Sequence, residues 1–273
     1  MLITGCGNKA SDGDWSSFKS NPRNNGHYTG NAPEELTELK FKFKTEDHVL
    51  SSPAVTEGLV LFGSGDNYLY AVDVKTGQEK WKFKTMDRVH SSPAIGRSMV
   101  LFGSWDSYLY AIDIKTGQEK WKFKTGMSIS SGPAIANGVA FFGSLDSYLY
   151  AVNITTGLEI WRFKTEDRIF SSPSISNGMV FLGGSNNYLY SIDIKTGQEK
   201  WKFRTEGAIN SSPAVVNGMA FFGSYDNYLY AVDINNRQEK WKFKTQGAIF
   251  SSPAISEGMV FFGSFDNYIY AVK

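Results

Sequence analysis

The sequence predicts an all-β fold: a six-bladed β-propeller with four antiparallel strands in each blade. Two observations predict it, namely a repeat with a fixed period of 40 residues and four short strand patterns inside each repeat. A fixed period of this length is typical of repeat architectures such as propellers. The period is marked by tryptophans without insertion or deletion between copies: Trp81, Trp121, Trp161, Trp201 and Trp241.

A second phrase, SSPAV or a close variant, has the same period and gives the number of copies. It begins at Ser51, Ser91, Ser131, Ser171, Ser211 and Ser251. Residues common to all copies are expected to serve the fold. Residues that differ between copies are where a specific function is expected.

The repeat at residues 91–125 illustrates the four strands. SSPAIG and the apolar run MVLFGS from Met99 are the first two, and YLYAID from Tyr108 is the third. An apolar run without alternation is expected of a strand buried on both faces. The turn KTGQ leads to the fourth strand, EKWKFKT, in which Trp121 and Phe123 share one face and lysines the other. Lysines on an outer strand discourage pairing with other molecules.

The two ends of the repeat region predict how the ring closes. The segment LKFKFKT, residues 39–45, copies the fourth-strand phrase with Phe41 at the tryptophan position. At the other end, YIYAVK reaches only a third strand. We therefore expect the N-terminal strand to complete the last blade, so that the propeller comprises residues 39–273.

Composition limits the classes of function. The net charge is only +1, which does not favour the long-range attraction that nucleic-acid binders use. No apolar run approaches the roughly 18 residues of a membrane-spanning helix. The histidines His27, His48 and His90 lack metal-ligand spacing, and one cysteine cannot form a disulfide or a cysteine cluster. We expect no nucleic-acid partner, no metal and no cofactor.

Cys6 follows Ile3, Thr4 and Gly5, a context that resembles the lipobox of bacterial lipoproteins. On this interpretation, residues 1–14 are a lipobox-like start and linker, and the protein is expected to contact a membrane only through the lipid attached to Cys6. Against this, a signal peptide contains an apolar stretch of about 7–15 residues, and only four residues precede Gly5. An unmodified cysteine in a polar tail is the alternative.

The phrase Ala-x-Asp-x-x-Thr-Gly-x-x-x-Trp recurs across the turn before the fourth strand, for example from Ala71 to Trp81. Its spacing resembles the tryptophan-docking motif of propeller repeats of the pyrroloquinoline-quinone type (PQQ-like repeats). The resemblance implies that each indole is held between adjacent blades and that the turn glycine makes room for it. The structural residues it indicates are Phe41, Trp81, Trp121, Trp161, Trp201, Trp241, Gly77, Gly117, Gly157 and Gly197.

Some positions depart from this pattern. Ser191 replaces the alanine, Asn153 replaces the aspartate, and NNRQ at residues 235–238 lacks the Thr-Gly pair. The fifth turn is therefore expected to be the least regular. Residues 15–38, with Trp15 and Phe18, look like the lead-in segment of the same family, and we expect them to lie across the propeller body.

The same resemblance raises the hypothesis of a quinoprotein dehydrogenase. Such enzymes usually have eight blades, a vicinal cysteine pair and a calcium or lanthanide site with a catalytic aspartate. The chain has six repeats and one cysteine, so we expect a protein without catalytic residues. Aspartates that recur before the third strand are expected to bond their own backbone rather than form a carboxylate ring; they are Asp66, Asp106, Asp146, Asp226 and Asp266.

Differences between copies concentrate in the connection from the fourth strand to the next first strand and in the turn before the third strand. Both are expected on one face of the ring, whereas the KTGQEK turns of the opposite face are expected to be scaffold. Aromatic and cationic side chains on the variable face match the composition of protein-contact hot spots. The candidate binding residues are His48, Arg88, His90, Trp105, Arg168, Phe170, Tyr225, Phe250 and Phe265.

These observations predict a monomeric, non-catalytic scaffold of the bacterial cell envelope that binds a protein partner through its variable face. The BamB-type propeller lipoproteins of outer-membrane protein assembly look similar in repeat and anchor, but they have eight blades. Three alternatives stay open. The same aromatic face could bind glycans or small molecules, the chain could be a detached sensor module, or the variable positions could simply be free of packing constraints.

Overall fold

A computed structural model describes residues 38–273 of the chain. The predictions for Cys6, for the linker and for almost all of the lead-in segment lie outside the described residues. Every regular element of the described part is a β-strand. No helix long and apolar enough to cross a membrane is found in that part of the chain.

Five sheets contain four antiparallel strands each, ordered along the sheet as they are along the chain. Sheet 1 consists of β1 (Ala54–Thr56), β2 (Leu59–Gly63), β3 (Tyr68–Asp73) and β4 (Glu79–Lys84). Sheet 2 consists of β5 (Ala94–Gly96), β6 (Met99–Gly103), β7 (Tyr108–Asp113) and β8 (Glu119–Lys124). Sheet 3 consists of β9 (Ala134–Ala136), β10 (Val139–Gly143), β11 (Tyr148–Asn153) and β12 (Glu159–Lys164).

The remaining sheets follow the same order, except that the sixth has three strands. Sheet 4 consists of β13 (Ser174–Ser176), β14 (Met179–Gly183), β15 (Tyr188–Asp193) and β16 (Glu199–Arg204). Sheet 5 consists of β17 (Ala214–Val216), β18 (Met219–Gly223), β19 (Tyr228–Asp233) and β20 (Gln238–Lys244). Sheet 6 consists of β21 (Ala254–Ser256), β22 (Met259–Gly263) and β23 (Ile269–Val272).

The first strands of successive sheets lie next to one another, which places them on the inner side of the assembly. β1 contacts β5, β5 contacts β9, β9 contacts β13, and β13 contacts β17. Serine hydroxyls connect them: the amide of Ser52 donates to Ser92 Oγ at 2.9 Å, and the amide of Ser172 donates to Ser212 Oγ at 2.8 Å. The arrangement is consistent with a β-propeller whose blades radiate from these strands.

The apolar core lies between sheets rather than within one sheet. In the first cluster, Leu61 and Leu69 of sheet 1 pack with Phe102 and Tyr110 of sheet 2, and all four side chains are buried. Equivalent clusters join each later pair of neighbouring sheets. Each sheet therefore depends on the next one for much of its buried apolar area.

The tryptophans dock as the repeat motif predicts. Trp81 Nε1 donates to the carbonyl of Ile114 at 2.8 Å, and a Cβ added to Gly117 would stand 2.8 Å from the indole. The same contacts place Trp121 on Gly157 and Trp161 on Gly197. A side chain at these glycines would collide with the indole, and their φ of about +70° already favours glycine.

The predicted closure of the ring is not confirmed. Residues 39–45 form no strand, and sheet 6 ends at β23 with its outer side uncovered: Ile269 is 81% exposed. Residues 39–45 instead contact sheet 1 through side chains. Phe41 lies against Gly77, and Phe43 packs edge-on against Tyr70 at 5.3 Å between ring centroids. The apolar side chains of residues 39–45 pack against sheet 1, but the backbone of these residues does not pair with β23.

The fifth turn keeps the geometry of the others despite its sequence. The amide of Arg237 donates to the carbonyl of Asp233 at 2.8 Å, as the amide of Gly117 does to Asp113 at 2.9 Å. Arg237 adopts the positive φ of 65° that glycine holds elsewhere. The expected irregularity is thus limited to a non-glycine residue in the left-handed region and a strand, β20, that begins one residue earlier.

Replacing Trp161 with alanine should lower the free energy of unfolding by about 3 kcal/mol, because a cavity opens between sheets 3 and 4. Trp241 is the matched control. It is 39% exposed and contacts Phe221 at 5.7 Å between centroids, so Trp241→Ala should cost less than half as much. Urea unfolding of both variants measures the difference, and equal losses would contradict the docking role.

Ser191→Ala should raise the free energy of unfolding by about 1 kcal/mol. Ser191 is fully buried, its hydroxyl has no hydrogen-bond partner in the described part of the chain, and alanine holds the position in the other four-stranded sheets. The reverse change, Ala151→Ser, should lower stability by a similar amount. Chemical denaturation measures both, and a loss of stability in Ser191→Ala would show that the hydroxyl is satisfied.

Candidate functional site

The variable face is built from two chain segments that hydrogen-bond to each other in every repeat. The amide of Trp105 donates to the carbonyl of Arg88 at 2.9 Å, and the amide of Tyr225 donates to that of Ala208 at 2.9 Å. The connection before the first strand and the turn before the third strand therefore form one surface. The sequence predicted this adjacency from the strand order.

The aspartates before the third strands are structural. Asp106 accepts the amide of Tyr108 at 3.1 Å, the hydroxyl of Tyr110 at 2.8 Å and the amide of Met86 at 2.9 Å. Burial, and next the hydrogen bond to Asp106, raise the pKa of Tyr110 far above its usual value of 10.0. The carboxylate is thus committed to holding the turn, as expected, and the tyrosine stays protonated as its donor.

One cluster of predicted residues forms where sheets 1 and 2 meet. The rings of His48 and His90 lie 5.6 Å apart, and those of His90 and Trp105 lie 5.3 Å apart in an edge arrangement. The Arg88 guanidinium stands 5.9 Å from the Trp105 ring, a cation–π contact. Sequence reasoning named all four residues, and the structure brings them together.

Two polar atoms of this cluster are buried without a hydrogen-bond partner in the described structure: Nε2 of His90 and Nε1 of Trp105. Burial is the main cause that lowers the pKa of His90, and the charges of His48 and Arg88 act in the same direction. A neutral imidazole and an indole N–H therefore sit side by side with unused hydrogen-bonding capacity. Such groups cost free energy unless a bound molecule satisfies them.

A second cluster forms across sheets 5 and 6. Tyr225, Phe250 and Phe265 form a triangle with centroid distances of 6.2, 6.2 and 6.3 Å, and Phe250 and Phe265 are stacked with an interplanar angle of 19°. The exposed fractions are 40% for Tyr225, 44% for Phe250 and 65% for Phe265. Three adjacent exposed aromatic rings form an apolar patch of the kind that marks interaction sites.

The two other predicted residues lie outside both clusters. Arg168 is exposed, and its carbonyl accepts the amide of Ser185 at 3.1 Å. Phe170 is half-buried, and no ring contact joins it to another aromatic residue of the described chain. The structure therefore divides the predicted site into two clusters on one face and leaves sheets 3 and 4 between them.

Sequence reasoning missed features on both faces. On the variable face, Leu50 and Met86 are 62% and 85% exposed. On the opposite face, expected to be only scaffold, grooves lie at the junctions between sheets, one of about 530 Å³ between sheets 1 and 2 and one of about 270 Å³ between sheets 3 and 4. The signal for the groove between sheets 3 and 4 was the turn of sheet 3, which has Leu158 and Ile160 where the other repeats have glutamine and lysine.

Within residues 38–273, no group of three or more histidine, cysteine, aspartate or glutamate side chains is placed to hold a metal ion. The site offers aromatic, cationic and unpaired polar groups on the rim of repeated antiparallel sheets. Together with the docked tryptophans, these features define a β-propeller built from PQQ-like repeats.

The family model described as "Outer membrane protein assembly factor BamB" matches residues 34–124, 105–212 and 205–273. The chain therefore belongs to this family. Among curated proteins, no match was found.

Solved structures share the fold at low sequence identity. BamB from Moraxella catarrhalis superposes with a TM-score of 0.73 and 17% identity, over 87% of this chain and 75% of that one. The computationally designed Ika8 protein superposes with a TM-score of 0.73 and 19% identity, over 81% of this chain and 70% of the other.

Trp105→Phe should leave stability unchanged or raise it by up to about 1 kcal/mol, because it removes a buried N–H that has no partner. Trp81→Phe is the control, since it removes a 2.8 Å hydrogen bond to Ile114 and should destabilise. Chemical denaturation of both variants tests the assignment. A larger loss at Trp105 than at Trp81 would show that its N–H is satisfied in the free protein.

Proposed function

We propose that the chain is a non-catalytic scaffold of the bacterial cell envelope that binds a protein partner through the variable face. The observation that carries the proposal is the exposed cluster of Tyr225, Phe250 and Phe265. It lies on a chain that belongs to the family of an outer membrane protein assembly factor. The partner class we propose is a component of outer-membrane protein assembly.

The physical basis is the energetics of protein interfaces. Aromatic residues and arginine supply most binding free energy when they are desolvated at the centre of a contact. The Tyr225 cluster offers apolar area, and the His90 cluster offers an unpaired N–H at Trp105 with Arg88 beside it. A partner that covers both clusters would bury the first and satisfy the second.

The absence of catalysis is also proposed. The side chains of the five recurrent aspartates each accept three hydrogen bonds, two from backbone amides and one from a tyrosine hydroxyl, so they lack the free geometry of a general base. Of the described histidines, His48 pairs with its neighbour Asp47 at 2.5 Å, and His90 is held among rings. The enclosure of His90 among aromatic rings supports a binding role for it.

Lipidation of Cys6 is proposed as the means of attachment to the envelope. The support is the context of Cys6 in the sequence and the family to which residues 34–273 belong. Intact mass spectrometry of protein from membranes tests this: a mass increase by acyl groups that Cys6→Ser abolishes is expected. An unmodified mass for membrane-derived protein would refute the anchor.

A second function has one specific observation in its favour. Phe250 and Phe265 are stacked and nearly parallel, and both are exposed. Flat exposed aromatic rings also contact the apolar faces of sugar rings. Binding of glycans through this cluster is therefore the alternative.

A Tyr225→Ser, Phe250→Ser, Phe265→Ser variant should lose the partner in crosslinking pull-downs from envelopes while keeping the unfolding midpoint of the native chain. A Lys75→Ser, Lys115→Ser variant of the opposite face is the control and should recover as much partner as the native chain. Recovery of outer-membrane assembly components by the native chain and the control alone supports the proposal. Equal recovery by all three refutes the site, and glycan-array binding without a protein partner favours the alternative.

We also propose that residues 39–45 complete sheet 6 and close a ring of six blades. The support is that Phe41 and Phe43 contact sheet 1 as Trp81 and Phe83 contact sheet 2. In sheet 1 the fourth strand pairs Lys84 with Tyr68. By the same register, Lys44 would pair with Tyr268, whose side chain is 66% exposed.

A disulfide tests the closure. In a Cys6→Ser background, the pair Lys44→Cys and Tyr268→Cys should crosslink on mild oxidation and raise the unfolding temperature, because neighbouring strands hold Cα atoms about 4.5–5.5 Å apart. The pair Lys84→Cys and Tyr268→Cys should not crosslink within one chain. A failure of the first pair, or a dimer in its place, would rule out closure within the chain.

A further inference from the structure

One turn on the face opposite the variable face has lost its charges. In sheets 1, 2, 4 and 5 an aspartate pairs with a lysine seven residues later, as Asp73 does with Lys80 at 3.2 Å. In sheet 3 these positions are Asn153 and Ile160. Leu158 occupies the position in sheet 3 that Gln78 occupies in sheet 1. The changes affect both members of the ion pair in one repeat, which leaves no unpaired charge behind.

The consequence is an apolar groove at a position that is charged elsewhere. The groove between sheets 1 and 2 is lined by charged side chains that include Glu57, Asp73 and Lys80. The equivalent groove between sheets 3 and 4 has a volume of about 270 Å³. It is lined by Ala136, Asn137, Val139, Phe141, Ile160, Trp161, Ile194 and Lys195.

The rim of this groove is apolar and carries one cation, Lys195. Leu158 is 68% exposed and Ile160 is 49% exposed, although each occupies a position where other sheets carry a polar residue. Lys195 lines the groove. Arg162, next to Trp161 in the strand, is paired with Glu159 at 3.7 Å and lies over the Tyr148 ring, so it adds no free charge to the rim. None of the described lining residues is acidic. A segment that combines an aromatic side chain with carboxylates is complementary to this surface.

We propose that residues 12–18 of the same chain, DGDWSSF, dock in this groove. Trp15 and Phe18 supply apolar side chains, and Asp12 and Asp14 supply negative charge for Lys195, which has no acidic neighbour in the groove lining. The indole of Trp15 would cover Ile160, and the aspartates would face Lys195. The proposal does not depend on the proposed function.

The chain enters the described body on the correct face. Phe41 contacts the turn glycine Gly77, which belongs to the same face as the groove, so Glu38 lies near that face as well. Twenty residue-to-residue steps separate Phe18 from Glu38. They reach roughly 65 Å when extended and about 25 Å on average as a flexible chain. Twice the radius of gyration expected of a body this size is about 35 Å, so sheet 3 is within reach.

The first experiment measures cleavage of the full-length chain by trypsin at Lys19, which directly follows the docking segment. Docking protects this site in the native chain. The variant Asn153→Asp, Leu158→Gln, Ile160→Lys gives sheet 3 the residues that sheet 2 has at these three positions, so its fold is supported by the neighbouring repeat. Cleavage at Lys19 is expected to be about fivefold faster in this variant, because protection follows the population of the docked state.

A double-mutant comparison separates docking from a general change in stability. Trp15→Ala alone should accelerate cleavage at Lys19 as the groove variant does, and adding it to the groove variant should give no further acceleration. In methyl NMR spectra, Trp15→Ala should shift the signals of Ile160 and Ile194. Tyr225→Ser, on the opposite face, should change neither the cleavage rate nor these signals.

Equal cleavage rates in the native chain and the groove variant, or unchanged Ile160 signals in Trp15→Ala, would overturn the proposal. Additive acceleration by the two changes would overturn it too. Signals of Ile160 that depend on protein concentration would show that a second copy occupies the groove, which also excludes docking within the chain.

Discussion

The contact on which the structure depends is the docking of a fourth-strand indole on the turn of the next sheet, as Trp81, Trp121 and Trp161 show. The position that receives the indole has positive φ: it is a glycine in sheets 2, 3 and 4, where a Cβ would meet the ring, and Arg237 in sheet 5. The docking also requires a fixed distance between tryptophan and turn, which explains a period of 40 residues without exceptions. Apolar clusters shared by neighbouring sheets follow the same geometry, so the core is a series of interfaces rather than one centre.

This geometry also determines where the chain is free to vary. Turns that receive an indole must keep their glycine or its conformation, as Arg237 does. Backbone hydrogen bonds and the recurrent aspartates hold the loops of the variable face. The other side chains of these loops have no such structural role, so they are free to differ between repeats. Aromatic clusters therefore accumulate on that face. The groove at sheet 3 is an exception, because an ion pair there is replaced by Asn153 and Ile160 while the indole contact stays intact.

Much of this was predictable from sequence, because a repeat reports each structural requirement several times. Strand order, the docked tryptophans and the role of the recurrent aspartates follow from residues that recur. Properties that occur once were harder to predict. Pairing of residues 39–45 with β23 depends on how far the sheets turn about the inner strands, which no local pattern specifies. The division of the candidate site into two clusters depends on side-chain directions at Trp105, Phe170 and Phe265. The groove between sheets 3 and 4 was not predicted, because the face of the KTGQEK turns was interpreted from the sequence that most repeats share. The turn of sheet 3, which departs from that sequence, was not considered separately.

The direction of docking has a consequence for synthesis of the chain. Trp81, Trp121 and Trp161 each rest on a turn that lies later in the sequence, as Trp81 rests on Gly117. A nascent chain therefore holds a finished sheet with an uncovered tryptophan until about one more repeat has left the ribosome. Every new repeat shields the previous one and exposes its own indole. Assembly from the N-terminus then proceeds in steps, and at each step the apolar face of the last sheet, with its indole, is the surface that a chaperone would recognise.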